Sequence, residues 1–171
     1  MKINYPKIGS ISHGTLLKED LIPAFIDALD EIKQQFIYCE LGKEQEARQN
    51  HDRIENLCAA VEQRKLSDYG TEEDYFSSDD ADSDLEDLTD LLNEFAPPFC
   101  YFGTHPGDGS DFGFWPMDIE EIKEQIDFCS TQKQEFPDSN FQGEWLHINE
   151  RGNCTLFARA NNKDKEIWSL V

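Results

Sequence analysis

The run His105-Pro106-Gly107-Asp108-Gly109-Ser110-Asp111 sets one imidazole and two carboxylates within seven positions. Those residue types can hold a metal ion or activate a water, and loops on rigid scaffolds are where such sites tend to sit. On that reading His105, Asp108 and Asp111 would serve a small metal-assisted hydrolase. His13 would be a second imidazole, although nothing in the sequence brings it near. A simpler reading competes. Gly and Asp are turn residues whose carboxylates bond their own backbone, while Phe112, Phe114 and Trp115 pack. Turn chemistry accounts for the run without further assumptions, so no catalytic residue, metal or cofactor is assigned.

The second candidate chemistry is charge. The chain of 171 residues holds 36 acids against 15 Lys and Arg, a net charge of −21. Residues 66–150 contain 23 acids and only two bases, Lys123 and Lys133, and the flanks are balanced. The densest run is Asp68, Glu72, Glu73, Asp74, Asp79, Asp80, Asp82, Asp84, Glu86, Asp87, Asp90 and Glu94, with no base among them. Glu120, Glu121, Glu124 and Asp127 follow in a second acidic segment. Such a balance excludes direct nucleic-acid binding, which needs a basic footprint, and opposes an anionic membrane surface. Glu86/Asp90/Glu94 and Glu120/Glu124/Asp127 recur at helical spacing, so each set predicts a stripe of carboxylates about 6 Å apart. That pitch is close to the separation of phosphates along one strand of nucleic acid. Held on a folded surface, such carboxylates would take the arginines and lysines of a basic nucleic-acid-binding protein. The plain alternative is a solvated, solubilising face, the usual role of a like-charge block.

Other motifs are weaker. Asp80-Ala81-Asp82-Ser83-Asp84 opens like a calcium loop, but Leu85 stands where Gly is required and Leu91 where the bidentate Glu should be. No phosphate-binding glycine loop or nucleophile elbow occurs. The cysteines Cys39, Cys58, Cys100, Cys129 and Cys154 are odd in number, widely spaced and set among apolar neighbours. They read as small buried hydrophobes in a reducing cytoplasm, and the first residues lack the apolar core of an export signal. His51 reads as a solvated helix residue and His147 as a surface or packing residue of a strand.

The elements that must position these groups follow from periodicity. Leu16–Leu21 predicts a single helical turn, and Pro23 the first position of a helix carrying Ile22, Phe25, Ile26, Leu29, Ile32 and Phe36 inward to about Cys39. Gly42 punctuates. Glu44 to Leu66 predicts a second helix, with Ala47, Ile54, Leu57, Cys58 and Val61 on one face, antiparallel to the first. Residues 67–83 have little apolar content and read as an acidic, mobile loop. Asp84 is expected to cap a third helix with Leu85, Leu88, Leu91, Leu92 and Phe95 inward, stopped by Pro97-Pro98. Phe99–Gly103 reads as a strand, Thr104–Gly113 as a loop, and Phe114-Trp115 as the start of another strand. Asp118 caps a helix carrying Ile119, Ile122 and Ile126, and residues 130–142 form a polar connection. Glu144–Asn149, Cys154–Ala160 and Glu166–Val171 alternate as strands, joined by Glu150–Asn153 and Asn161–Asp164. The expectation is one α+β domain over residues 1–171, a helical hairpin and further helices packed on a C-terminal antiparallel meander.

Three stretches carry a resemblance: His13-Gly14-Thr15 with Glu19–Phe25, Pro97-Pro98 through Trp115, and the meander with His147-Ile148-Asn149 and Ile167-Trp168. Over most of its length outside the acidic insert the chain resembles a family of small acidic prokaryotic and phage proteins, which implies no activity or site residues. In size and charge it is also similar to phage anti-restriction and anti-CRISPR DNA mimics, a similarity of physics without a shared motif. The function expected first is therefore a non-enzymatic decoy, acting in the host cytoplasm if phage-borne, that blocks a CRISPR or restriction component. An immunity-type protein neutralising a basic nuclease toxin stands second, and the hydrolase third.

Overall fold

The computed structural model describes residues 5–36, 44–131 and 135–171. Cys39, Gly42 and Lys133 lie outside these residues. In chain order the elements are β1 (Gly9–His13), α1 (Lys18–Phe36), α2 (Glu44–Ser67), α3 (Glu72–Phe76), α4 (Asp79–Glu94), β2 (Cys100–His105), β3 (Asp108–Pro116), α5 (Ile119–Gln125), β4 (Cys129–Ser130), β5 (Gly143–Ile148), β6 (Cys154–Ala160) and β7 (Lys163–Leu170). The class is α+β, with the helices concentrated before the strands of the meander. Two compact units form, one from Met1–Ala96 with Phe102–Phe114, the other from Pro97–Tyr101 with Trp115–Val171. No helix among the described residues is long and apolar enough to cross a membrane.

The first unit is a helical layer with a three-stranded sheet of order β1-β3-β2. Leu21, Ile22, Phe25, Leu29 and Ile32 of α1 are buried with Ile54, Cys58 and Val61 of α2 and with Ala81, Leu88, Leu91 and Leu92 of α4. Each large apolar side chain so buried is worth about 1.5–3 kcal/mol. Phe25 meets the sheet through Phe102, edge to face at 4.9 Å. Directions follow from the pairs that close the layer. Lys18 meets Asp82 and Phe36 meets Phe95, so α1 and α4 run the same way. Arg64 meets Asp84 and Arg53 meets Glu94, so α2 runs against both. The expected antiparallel hairpin of α1 and α2 is present.

Local corrections have local causes. α1 begins at Lys18 rather than at Pro23, which lies inside the helix. Pro23 leaves the Glu19 carbonyl without its helical donor, a loss that water makes good because both residues are exposed. Residues 67–83 are not a loop. Thr71 caps α3 by accepting from Asp74 N, and Ser78 caps α4 by accepting from Ala81 N. Their acidic first turns suit the helix dipole, and Tyr75 and Ala81 supply buried apolar surface that a polar loop would lack. Thr104–Gly113 is not a loop either. Pro106-Gly107 alone connects β2 to β3, and β3 pairs with β1 from Gly9↔Phe114 to His13↔Asp111. Gly113 is obligatory here, because a Cβ at that position would stand 2.1 Å from the Gly9 carbonyl oxygen.

The second unit is a four-stranded sheet of order β4-β5-β6-β7 with α5. The meander has the expected strands. The β6–β7 turn narrows to Asn161-Asn162, with φ of 52° and 60°, the left-handed pair that a two-residue hairpin requires and Asn tolerates. β4, at the start of what reads as polar connection from residue 130, adds a parallel edge through Cys129↔Leu146 and Ser130↔His147. Two residues are too few to show a period. The alternation of β5 and β6 holds: Trp145 stacks on Phe157 at 4.7 Å, and Leu146 faces Leu156. Arg159 reaches over the Trp145 ring and pairs with Asp164, which also accepts from the Trp145 indole at 2.9 Å.

Candidate functional site

α4 carries the largest net charge of any element among the described residues. Its sequence carries eight acids and no base. At 100° per residue, Asp79, Glu86, Asp87, Asp90 and Glu94 fall within about a 100° arc, and over fifteen residues that arc runs about 22 Å. Ala81, Leu88 and Leu92 lie on the opposite side and are 0% exposed, so packing holds the acidic face towards solvent. Asp79, Glu86, Asp87 and Asp90 are exposed and have no ion-pair partner among the described residues.

The remaining acids of the run are not equivalent. Asp84 was expected to cap the helix and face a partner. Instead it lies inside α4, about 40° around the helix from Leu88, and is fully buried. Its carboxylate accepts the Tyr75 hydroxyl at 2.9 Å, and the Arg64 guanidinium through Nε at 3.2 Å and through Nη2. Burial, then the Asp84 carboxylate, push the Tyr75 phenol well above its ordinary range. Asp84 thus joins α2, α3 and α4 and is withdrawn from any outside partner. Asp82 pairs with Lys18, Glu72 with Lys65 and Glu94 with Arg53, at 2.8, 3.1 and 2.8 Å. Asp80 accepts from Tyr69 and Asp74 from Thr71. Asp68 and Glu73 are exposed. Residue type does not distinguish Asp84 from its neighbours. Its spacing does, three after Ala81 and four before Leu88, once the helix extends back to Asp79 and Ala81 joins the buried stripe.

The second acidic segment is shorter than expected. α5 ends at Gln125 and Ile126 is extended, so Asp127 leaves the helix and the Glu120/Glu124/Asp127 stripe breaks. Glu120 is partly neutralised by Lys123 at 2.7 Å, leaving Glu121 and Glu124 exposed on the helix.

The hairpin residues are brought together, but as turn chemistry. Asp108 accepts from Ser110 N at 2.9 Å and Ser110 Oγ at 2.8 Å, which hold its carboxyl below the ordinary range. Gly107 N donates to His105 Nδ1 at 3.0 Å. The β1–β3 pairing does what no sequence spacing could: it places His13 opposite Asp111, with His13 Nε2 3.6 Å from Asp108. One Asp111 carboxylate oxygen is buried without a hydrogen-bond partner among the described residues. No three His, Cys, Asp or Glu side chains among the described residues converge as a metal ion would require.

Comparison with protein-family models, with curated proteins and with solved structures finds no match.

Proposed function

We propose that the protein is a non-enzymatic inhibitor that offers helix-borne carboxylates in place of phosphates to a basic nucleic-acid-binding protein, such as a restriction or CRISPR component. The observation that carries this reading is the solvent face of α4: a packed helix with eight acids and no base, four of them exposed and unpaired among the described residues. Density alone describes a solubilising face. A fixed face adds geometry, because the buried side of α4 removes the freedom that a disordered acidic tail would have to give up on binding. Exposed arginines and lysines of the partner would form charge-assisted bonds to Asp79, Glu86, Asp87 and Asp90, and the field of a chain at −21 would speed encounter.

The test is competition with DNA for purified restriction and CRISPR effectors at several salt concentrations. The decoy reading expects displacement of DNA, an affinity that falls steeply with salt, and at least a tenfold loss in a D87K/D90K variant. Salt-insensitive binding untouched by that variant would overturn it. Turnover of a substrate, lost on chelation and in H105A and D108A variants, would support the hydrolase instead.

A further inference from the structure

Among the described residues Phe136 is the one aromatic side chain left in solvent, 59% exposed. A single exposed apolar side chain is ordinary. This one is fixed in place and joined to others. Its ring meets Trp145 edge-on at 6.0 Å. The next residue, Pro137, is buried, and its carbonyl accepts Arg159 Nη1. Trp145 also meets Phe128 edge-on at 6.1 Å and stacks on Phe157 at 4.7 Å, and Phe128 meets Phe141 at 6.2 Å. Phe128, Phe141 and Phe157 are each partly exposed. All five rings belong to the second unit, so ring contacts within that unit make one continuous aromatic cluster.

The cluster already holds one cation. The Arg159 guanidinium lies over the Trp145 ring, 5.9 Å from its centre, while its fork takes both oxygens of Asp164 at 2.7 and 2.6 Å. That inner cation is neutralised by Asp164. Around the rest of the cluster there are carboxylates without a cation. Asp127 precedes Phe128, Glu135 precedes Phe136, and Glu166 stands across from Phe157 in the β6–β7 ladder. All three acids are exposed and have no ion-pair partner among the described residues. The negative face of a ring attracts a cation, and acids beside it add to the pull. Arginine suits such a face better than lysine. Its planar guanidinium is weakly hydrated, stacks on rings and forks to a carboxylate, whereas an ammonium holds its water. A second copy of a chain at −21 is repelled.

We infer that Phe136 and the rings joined to it form an arginine-docking face. A guanidinium of the partner stacks on Phe136 and is drawn there by the flanking acids, repeating on the outside the ring-and-carboxylate arrangement that holds Arg159. The inference rests on the proposed basic partner. It adds a contact on the second unit, and it makes recognition depend on a ring as well as on charge.

The probes are two labelled Gly/Ser-rich peptides of equal length and charge, one carrying arginines and the other lysines at the same positions. Fluorescence anisotropy on the full chain should show the arginine peptide binding about fivefold more tightly. Phe136→Leu keeps apolar bulk and removes the ring, and at an exposed position it should leave the thermal midpoint unchanged. In that variant the preference should fall below about twofold. Phe136→Trp, which offers a cation the better ring, should keep or enlarge it. A wild-type preference below about twofold, a preference kept by Phe136→Leu, or one lost in Phe136→Trp overturns the inference. The D87K/D90K variant separates the two proposals. If it leaves both peptides' affinities unchanged while the preference that needs Phe136 persists, the α4 decoy reading fails and the arginine face stands. If it weakens both peptides alike and Phe136→Leu changes nothing, the arginine face fails and the α4 reading stands.

Discussion

Replacing Asp84 by alanine tests the claim that a buried carboxylate holds the acidic helices in place. The substitution removes the acceptor of the Tyr75 hydroxyl and of the Arg64 guanidinium. Breaking a fully buried pair costs about 3–5 kcal/mol. Here Arg64 is 36% exposed and can regain water, which reduces the cost on its side. Tyr75 is 0% exposed and cannot, so its hydroxyl is stranded at about 1–3 kcal/mol. The net expectation is about 3 kcal/mol, which for a chain of this size lowers the thermal midpoint by about 6–12 °C. Differential scanning calorimetry measures the loss. Amide exchange at residues 72–76 should rise with it, because α3 is tied to α4 through this carboxylate. The triple variant D84L/R64M/Y75F, which removes every polar group of the cluster, should recover most of the stability, since a well-packed apolar replacement leaves nothing stranded. An Asp84→Ala midpoint within 2 °C of wild type would refute the reasoning. So would a triple variant as unstable as the single one, which would place the effect in shape and not in stranded charge.

Gly113→Ala should weaken the first unit by about 1–3 kcal/mol, because the added methyl must separate β1 from β3 at Gly9, and urea unfolding would show it. Arg159, then the Trp145 indole, hold the Asp164 carboxyl below its ordinary range. A depressed acid stabilises the fold above its unfolded value, and the contribution is lost as pH falls through the folded one. The Trp145 fluorescence of wild type should therefore change on acidification below about pH 4, and an Asp164→Asn variant should lack that step. Burial pushes the Cys58 thiol up to about 11 and the Cys100 thiol up to about 12. Brief alkylation at pH 8 should leave both unmodified in the native protein and modify both in urea, read by peptide mass spectrometry. Labelling of either at the rate of a free thiol would contradict the burial described.

Much of this architecture was legible because it is local. The stripe of Phe25, Leu29 and Ile32, the stripe of Leu88 and Leu92, the Asp118 cap and the alternation of β5 and β6 each depend on residues within four positions of one another. Composition misled where two local signals disagreed. Residues 67–83 are too polar to read as helix, yet Thr71 and Ser78 cap two helices there, and two aromatics and an alanine give them something to bury. Thr104–Gly113 is rich in turn residues, but only Pro106-Gly107 turns, because the rest lies in β2 and β3, and β1, from the far end of the chain, pairs with β3 from Asp111 to Phe114.

The sequence by itself determined the charge of the protein, its concentration in the middle of the chain and the period that turns α4 acids outward, since these follow from residue type and helical geometry. Only the tertiary structure decided which carboxylates remain available. Asp84 is consumed by Arg64 and Tyr75, Glu72 and Glu94 are drawn to bases of α2, and His13 is carried to Asp108 by strand pairing. Each of those outcomes joins residues on different elements, and no spacing along the chain encodes which elements will meet.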